Sequence, residues 1–314
     1  MTALDLVSIG SWTLFDHLLR LQRLPREGET VPLDMPDTEL NAIHFGDCSA
    51  NIAAAAGKLG LRTGLGMVVG EDFETSGYRQ HLAELGVGLA GVEVRSGARS
   101  GHSYNVFDYE NHGFCLSHLG VAAVQGDWRP PLAQIDRTRA LVVSEMFSPY
   151  TLTAIEHARR QGRMTAINGM VASAGACAER FLAAADILFL SRGEAKDLQA
   201  ALGVDDAAGL LAQGPELVVV TQGADGSVWH TTAGTAHVPA VPAARFVDST
   251  GAGDAFVAGA LFGMLAGLER TEGGRCAAVA ASFVVEAWGC QTNLPSVADL
   301  RRRYREHFDE ELPV

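Results

Sequence analysis

Short apolar stretches, many of them rich in β-branched residues, alternate along the chain with longer segments whose apolar residues recur at helical spacing. The short stretches predict buried strands at 4–10, 64–70, 140–146, 164–168, 186–190 and 216–223. The longer segments predict helices near 49–60, 74–86, 150–161, 192–201 and 205–213. This alternation predicts an α/β fold with a doubly wound, mostly parallel sheet and helices on both faces. Binding sites of such sheets lie beyond the carboxyl ends of the strands.

Two segments interrupt this alternation. Residues 11–45 contain several prolines, and residues 89–118 alternate polar and apolar side chains. Both patterns are typical of short antiparallel strands and turns, so these segments predict a small β-layer added to the main sheet. From residue 253 onward the pattern is almost continuously helical. Because the sequence shows no repeat and no interdomain linker, residues 1–314 are expected to form a single domain.

Composition and charge narrow the classes of function. The chain has 314 residues, 47% of them hydrophobic, and a formal net charge of −13. A net negative charge repels nucleic acid, which is therefore not expected as a partner. The five cysteines show neither a pairing framework nor a Cys-x-x-Cys spacing, which indicates a reducing compartment without structural zinc. No signal-peptide pattern and no apolar run long enough to span a bilayer occurs, so we expect a soluble, cytoplasmic protein with no membrane partner.

The stretch DSTGAGDAFVAG at 248–259 carries the candidate chemistry. A helix that begins near Gly253 presents unpaired backbone N–H groups and a partial positive charge at its first turn, which together form an anion site. Gly251 and Ala252 add little bulk, so a phosphate can approach the backbone closely. Asp254 has two interpretations. It is either a first-turn acid that only stabilises the helix, or a base that accepts a proton from a hydroxyl attacking the bound phosphate.

Other motifs for phosphate binding and hydrolysis are not found in the sequence. A P-loop requires Gly-Lys-[Ser/Thr], which neither Lys58 nor Lys196 provides. Phe256 stands at the third glycine position of a G-x-G-x-x-G motif. Neither a G-x-S-x-G elbow nor an H-E-x-x-H motif is present, so triad hydrolases and zinc proteases are not supported.

The glycine turn resembles a known family signature. DSTGAGDAFVAGAL agrees at every restricted position with the C-terminal signature of ribokinase-like, or PfkB, carbohydrate kinases. The similarity continues, in family order, through VSIGSWTLFDH, GDCSANIAAAAGKLGLRTGLGMVVGEDFETSGYRQHLAELGV, SRGEAKDL and VVVTQGADGS. The resemblance implies a ribokinase-like kinase domain in which the two irregular segments form a β-lid over the substrate. Since this lid often pairs between subunits in the family, a homodimer through the lid is one expectation.

The resemblance also implies roles for individual residues. Asp254 matches the catalytic base, and the amides of Gly251, Ala252 and Gly253 match the anion hole over the transferring phosphoryl group. Asp248 matches a position that in many members contributes to a monovalent-cation site for K⁺. The matched positions are Thr221, Gly223, Ser191 and Glu194 on the ATP side, and Asp16 and Asn51 on the substrate side. Glu194 is the acid expected to organise Mg²⁺ through water.

Several of these residues also have a purely structural interpretation. Thr221 and Gly223 fit an ordinary strand end and turn. Glu194 fits an acid that stabilises the start of a helix. Asn51 fits a helix cap and Asp16 fits a loop acid.

Two departures from the family pattern affect the substrate and metal regions. Ser191 stands where the N-x-x-E motif has asparagine, and its shorter side chain leaves room for an extra water. Asp47 stands where a glycine commonly precedes the substrate-binding asparagine. If the Asp47 side chain faces the pocket, it favours a cationic or hydroxyl-rich substrate, such as an amino sugar, over a phosphorylated sugar. The alternative is that Asp47 turns to solvent.

These observations predict an ATP-dependent kinase that phosphorylates a hydroxyl of a small carbohydrate or carbohydrate derivative, with Asp254 as general base. One alternative is a nucleoside kinase of the same fold, with lid aromatic residues stacked on the base; the other interpretation of those residues is packing within the lid. The candidates for stacking are Tyr104, Phe107, Tyr109 and Phe114. A further alternative, from another class, is a nucleotide- or sugar-binding sensor that has lost catalysis.

Overall fold

The structure is a computed structural model that describes residues 3–109 and 112–314. The strands are β1 (Leu4–Ile9), β2 (Phe15–Arg20), β3 (His44–Phe45), β4 (Thr63–Gly70), β5 (Val87–Arg95), β6 (His102–Phe107), β7 (Gly113–His118), β8 (Thr138–Ser144), β9 (Met164–Asn168), β10 (Ile187–Ser191), β11 (Leu217–Thr221), β12 (Ser227–Thr231) and β13 (Gly234–Val238). The α-helices are α1 (Cys48–Lys58), α2 (Asp72–Thr75), α3 (Tyr78–Glu84), α4 (Leu132–Ile135), α5 (Pro149–Arg160), α6 (Ala178–Ala183), α7 (Arg192–Leu202), α8 (Ala252–Leu265), α9 (Arg270–Val284) and α10 (Val297–Phe308). Short 3₁₀ helices cover Gly120–Ala123, Val171–Cys177, Ala208–Gln213 and Gly223–Asp225. None of the helices in these described ranges is both long and apolar enough to cross a membrane.

The large sheet has the strand order β13-β12-β11-β10-β9-β8-β1-β4-β5. Every neighbouring pair from β11 to β5 is parallel, and the β11–β12 and β12–β13 pairs are antiparallel. The expected doubly wound, mostly parallel sheet is therefore confirmed. The strand order reverses between β8 and β1, and such a reversal leaves a crevice at the carboxyl edge of the sheet.

Alternating side chains of the central strands form two hydrophobic layers, one on each face of the large sheet. In β1, Val7 and Ile9 pack into the layer covered by α5, α6 and α7. Leu6 points to the other face, into the layer covered by α1 and α8. Both faces of the sheet are thus buried, which accounts for the nearly continuous apolar runs that mark these strands in the sequence.

The small sheet has the order β3-β2-β6-β7. The pairs β2–β3 and β6–β7 are antiparallel, but β2 and β6 pair in parallel, so the expectation of purely antiparallel strands is wrong for this central pair. The expected start of the second lid segment at residue 89 also needs correction, because β5 pairs in parallel with β4 at the edge of the large sheet. As an edge strand, β5 is only partly covered, so it lacks the continuous apolar run of a strand that is buried on both faces.

Two other parts of the chain differ from the sequence-based expectation. Residues 205–213 do not form an α-helix; the regular part is the short 3₁₀ helix Ala208–Gln213. The β12–β13 hairpin was not predicted, although its turn at 232–233 is followed by Gly234 with a φ of 139°. The helical expectation beyond residue 253 is confirmed by α8, α9 and α10. Helix α8 is apolar on nearly all sides because it lies between the sheet, α1 and α9.

Candidate active site

Neighbouring strands of the large sheet end in polar residues at one edge. Asn168 ends β9, Ser191 ends β10 and Thr221 ends β11. Glu145 directly follows β8. Parallel pairing keeps these ends level, since Ser144 pairs with Asn168 and Ser191 pairs with Thr221. The fold therefore collects these polar side chains in a row beside the crevice.

A cavity of about 220 Å³ lies between this row and the first turn of α8. Its lining residues are Cys48, Glu145, Asn168, Gly169, Phe189, Leu190, Ser191, Glu194, Thr221, Gly251, Gly253, Asp254 and Val257. The expected base thus shares one cavity with three of the four expected ATP-side residues. The expected site residues outside this lining are Gly223, Ala252, Asp16, Asp47, Asn51 and Asp248. A second cavity of similar size lies where β12 turns into β13, at the opposite end of the strands.

The first turn of α8 has the backbone geometry of an anion site. Its N-cap, Gly251, has a φ of 80°, and a Cβ there would lie 2.6 Å from the Cβ of Cys290, so glycine is required. A Cβ at Gly253 would meet no atom within 4 Å. The amide of Ala252 donates to the Ser249 carbonyl at 3.1 Å. Among the described residues, the amides of Gly251 and Gly253 are therefore the members of the expected anion hole that remain available to a ligand.

Asp254 is buried in the first turn of α8, and its carboxylate is held by side chains of other elements. Asn51 Nδ2 donates to Asp254 Oδ2 at 2.9 Å, and Asn168 Nδ2 donates to Asp254 Oδ1 at 3.1 Å. Burial raises the pKa of Asp254 to about 7, against the opposing effect of the Asn51 and Cys48 hydrogen bonds. A carboxylate with one donor on each oxygen and a pKa near neutrality is suited to accept a proton.

Glu145 is a second acid in the cavity that sequence reasoning missed. It adopts a φ of 52° in a tight turn in which the Met146 amide donates to the Ser144 carbonyl at 2.6 Å. Desolvation, followed by the charge of Asp254, raises the pKa of Glu145 to about 8. Cys48 interacts with both acids. The strand predicted at 140–146 included Glu145, whereas β8 ends at Ser144. The available signal was an acid close to the end of an apolar run, because the ends of buried parallel strands lie at the functional edge of the sheet.

Ser191 and Glu194 form a capping box at the start of α7. Ser191 Oγ accepts from the Glu194 amide at 3.3 Å, and Glu194 Oε2 accepts from the Ser191 amide at 2.6 Å. Both side chains also line the cavity. Thr221 Oγ1 donates to the Leu190 carbonyl at 3.3 Å, and Gly223, with a φ of 60°, opens the turn that follows. Each of these residues therefore has a structural role at the edge of the cavity.

Asp16 projects from β2 toward the core beneath the small sheet and is 5% exposed. It accepts a short hydrogen bond from Ser103 Oγ and one from Cys290 Sγ at 3.4 Å. Burial raises the pKa of Asp16 to about 6. A Cβ at Gly46 would lie 2.2 Å from the Asp16 carboxylate, so Gly46 leaves the space that this acid occupies. Asp16 is connected to the α8 turn through Cys290, which packs against Gly251.

Asp47 is the N-cap of α1 and faces neither solvent nor the cavity. It is 5% exposed, and its Oδ1 accepts from the amides of Ser49 and Ala50 at 2.9 and 3.2 Å. Its Oδ2 accepts from the amide of Trp12 at 2.7 Å. Neither of the two orientations expected from the sequence is found, because the protein itself satisfies the carboxylate. The hypothesis that Asp47 selects the substrate is therefore no longer supported.

Asp248 lies behind the glycine turn and is 2% exposed. Thr250 donates to its Oδ1 from the amide at 3.1 Å and from Oγ1 at 2.7 Å, and the Gly289 amide donates to its Oδ2 at 3.1 Å. The guanidinium of Arg20, itself 3% exposed, lies 3.7 Å from Oδ1 and donates to the Val247 carbonyl at 3.1 Å. An arginine beside this acid was not predicted from the sequence.

The lid aromatic residues do not share one face. Side chains of paired residues in a sheet point to the same side, so the inner face carries Asp16 and Phe107 and the outer face carries Tyr104 and Phe114. The Tyr104 ring stacks on His17 with centroids 4.5 Å apart. The interpretation of Tyr104 and Phe114 as stacking partners of a nucleobase beside Asp16 is therefore not supported.

Comparisons with known proteins identify the family that the chain resembles and its relatives. The profile of the pfkB family carbohydrate kinases matches residues 41–297. A nucleoside kinase of Methanothermobacter thermautotrophicus is 29% identical over 313 residues, which cover 99% of this chain and 98% of that protein.

Solved structures show that the chain has a ribokinase-like fold. Burkholderia thailandensis nucleoside kinase in complex with ADP-inosine has a TM-score of 0.83 at 21% identity, over 98% of this chain and 97% of that one. Arabidopsis thaliana ribokinase complexed with ribose and ATP has a TM-score of 0.78 at 22% identity, over 97% of this chain and 99% of that one.

Proposed function

Because the chain belongs to the pfkB family of carbohydrate kinases and is therefore a phosphotransferase with an alcohol acceptor, we propose that it transfers the γ-phosphoryl group of ATP to a sugar hydroxyl of a nucleoside. The observation that carries the kinase chemistry is the Asp254 carboxylate, fixed by two amides at the first turn of α8. Because the chain belongs to a family of kinases, the alternative of a sensor that has lost catalysis is not favoured.

The acceptor class rests on full-length similarity. The nucleoside kinase of Methanothermobacter thermautotrophicus aligns over almost the whole chain, which favours a nucleoside over the free carbohydrate first expected from the motifs. The amino-sugar hypothesis loses its basis because Asp47 is occupied as a helix cap. Free ribose is the second candidate, since a ribokinase complexed with ribose and ATP shares the fold.

In the proposed reaction, Asp254 positions the attacking hydroxyl and takes its proton as the oxygen bonds to the γ-phosphorus. The bond from that phosphorus to the bridging oxygen breaks, and ADP leaves with the electron pair. The amides of Gly251 and Gly253 stabilise charge on the transferring group. Asp16 and Asn51 hold substrate hydroxyls, and closure of the small sheet excludes water that would otherwise hydrolyse ATP.

The residues of the cavity fit a magnesium ion bound mainly by phosphates and water. Glu194 lines the cavity, and within the described residues no group of three or more His, Cys, Asp or Glu side chains forms a metal centre. Mg²⁺ commonly uses one or two carboxylates together with substrate phosphates and waters. Glu194 would hold the ion through water, and bound Mg²⁺ would neutralise charge on the phosphates.

The Asp248 side chain does not fit the monovalent-cation site that the resemblance implies. Thr250 and Gly289 satisfy its oxygens, and the Arg20 guanidinium already supplies a buried positive charge beside it. We therefore expect equal turnover in potassium and tetramethylammonium buffers of equal ionic strength. At least a several-fold activation by potassium would contradict this assignment.

Homodimer formation through the lid stays a prediction. It is supported by exposed apolar side chains of the small sheet, namely Tyr104, Phe114 and Leu116.

An ADP-release assay with a matched acceptor panel tests the proposed function. The panel holds ATP and Mg²⁺ constant and compares inosine, adenosine, cytidine, ribose, fructose, glucosamine and ribose 5-phosphate. We expect a nucleoside to give the highest kcat/KM. Faster turnover of ribose than of any nucleoside would instead favour the second candidate, and no acceptor-stimulated ADP release would contradict the proposal.

A further inference from the structure

A chain of hydrogen bonds leads from Asp254 through buried side chains of α1, of the loop between α9 and α10, and of α3. Asn51 donates through Nδ2 to Asp254 and accepts through Oδ1 from Gln291 Nε2 at 2.8 Å. Gln291 lies in the loop between α9 and α10 and is 7% exposed. The same nitrogen donates to the Tyr78 hydroxyl at 2.6 Å. Both hydrogens of the Gln291 amide are thereby used.

The direction of these hydrogen bonds is set by a backbone carbonyl. The Tyr78 hydroxyl donates to the Gly46 carbonyl at 2.5 Å, so its single hydrogen is committed and it can only accept from Gln291. Gln291 must therefore present its nitrogen to Tyr78 and to Asn51. Asn51 must then present its oxygen to Gln291 and its nitrogen to Asp254. On the other side of the amide, Gln291 Oε1 accepts from His81 Nε2 at 3.1 Å.

We propose that Gln291 is a positioning residue for the catalytic base: it fixes the amide of Asn51 so that a donor, and not an acceptor, faces Asp254. This inference rests on the proposed function, in which Asp254 is the base. A donor at Asp254 Oδ2 favours the ionised carboxylate and fixes its orientation, whereas an amide oxygen there would favour the protonated acid. None of the family motifs in the sequence extends to Gln291.

Four ionisable groups near Asp254 can also influence its titration, and the test variant must leave them unchanged. Asp47 and Cys48 lie at the start of α1, Glu145 follows β8, and Cys290 lies beside the α8 turn. Gln291→Met leaves all of these groups in place and removes only the amide. The substitution keeps a similar side-chain length, and it leaves Asn51 Oδ1 without its donor.

The test is the pH dependence of kcat/KM with inosine and ATP. For Gln291→Met, Asn51 is free to turn, so the acidic limb should move to higher pH by about half a unit and kcat should fall about 10-fold. The KM for ATP should stay within about twofold because the nucleotide side of the cavity is untouched. Tyr78→Phe, which keeps the ring that stacks on Phe45 at 4.2 Å, should shift the limb in the same direction by a smaller amount.

His81→Leu is the matched control. It also removes a hydrogen bond that Gln291 accepts, but Tyr78 and Gly46 still fix the orientation of the Gln291 amide. The acidic limb of the pH profile is therefore expected to stay at its wild-type position. An unchanged limb in both Gln291→Met and Tyr78→Phe would overturn the inference, and so would an equal shift in His81→Leu. A wild-type protein that releases no ADP with any acceptor of the panel at any pH would overturn the proposed function together with this inference. If the wild-type protein is active and the acidic limb of its pH profile is unchanged in both Gln291→Met and Tyr78→Phe, only this inference is overturned.

Discussion

Two helices that pack against each other, α1 and α8, each begin at a residue with positive φ and carry an aspartate in that first turn. In α1 the aspartate is the N-cap itself, Asp47, with a φ of 74°. In α8 the N-cap is Gly251, with a φ of 80°, and Asp254 follows three positions later. Both acids are buried, and burial raises the pKa of both.

The difference lies in where the donors come from. Asp47 accepts from amides of its own helix and from the backbone of Trp12, so its carboxylate completes the local fold. Asp254 accepts from the side chains of Asn51 and Asn168, on α1 and β9, while its helix leaves amides open toward the cavity. An acid at a helix start is therefore structural when its own helix satisfies it, and it is a candidate for chemistry when distant side chains hold it beside unused amides.

The strongest test of this contrast is to remove the charge from each acid in turn. Asp254→Asn keeps the shape of the side chain but cannot take the proton, so kcat should fall by about 10²- to 10⁴-fold while ATP binding is retained. Asp47→Asn is the matched control and should keep kcat within about 10-fold of wild type. Steady-state ADP release and nucleotide titration measure both. Comparable losses of kcat in the two variants would break the contrast.

The next largest effect concerns the two glycines of the α8 turn. Gly251→Ala adds a methyl group 2.6 Å from Cys290 at a φ of 80°, and it should lower the free energy of unfolding by roughly 3 kcal/mol. Gly253→Ala places its methyl group in open space at the cavity, so stability should change by less than about 1 kcal/mol while kcat falls at least about 10-fold. Chemical denaturation separates these effects from activity. Wild-type kcat in Gly253→Ala would argue against phosphoryl binding at this turn.

The architecture could be predicted from the sequence, because the strands and helices that build it are marked by local patterns of apolar residues. Buried parallel strands give continuous apolar runs, and the helix starting at the α8 turn follows a glycine-rich break, so both could be predicted without long-range contacts. The boundary of the lid could not be predicted, because the partly covered edge strand β5 lacks the continuous apolar run that marks the central strands. Asp47 shows the limit at the site, since one donor to its carboxylate is the backbone amide of Trp12, a residue 35 positions away.

The missed residues share this dependence on distant partners. Gln291 and Asn51 are 240 positions apart, and Arg20 and Asp248 meet only when β2 of the small sheet packs against the loop before α8. Glu145 differs, because an acid close to the end of an apolar run is visible in the sequence, although the strand predicted at 140–146 extended past it and β8 ends at Ser144. Position at a strand end is therefore a signal that sequence reasoning can use, whereas side-chain pairing across elements is not.

A smaller effect should follow from removing the cap of α1. Asp47→Ala leaves the amides of Trp12, Ser49 and Ala50 without their acceptor and should lower the free energy of unfolding by about 2 kcal/mol. Asp47→Gly should cost less, because glycine adopts a φ of 74° without strain. Urea denaturation of the two variants measures the difference. If Asp47→Ala were as stable as wild type, the carboxylate would not have the structural role assigned to it.

The last prediction concerns Glu145, a buried acid of the cavity whose cost to stability can be measured separately from any catalytic role. Its pKa is about 8 in the folded protein against 4.5 as the ordinary value, so the folded state binds more protons between these limits. Stability from this group is complete below the ordinary pKa and is lost as pH rises through the folded pKa. Glu145→Gln removes that loss, so its stability relative to wild type should improve by on the order of 1 kcal/mol per pH unit between about pH 5 and about pH 8. Chemical denaturation at both pH values measures this change. An identical pH dependence in the two proteins would show that Glu145 ionises in the folded state as easily as in the unfolded chain, and its raised pKa would then no longer distinguish it from a solvated acid.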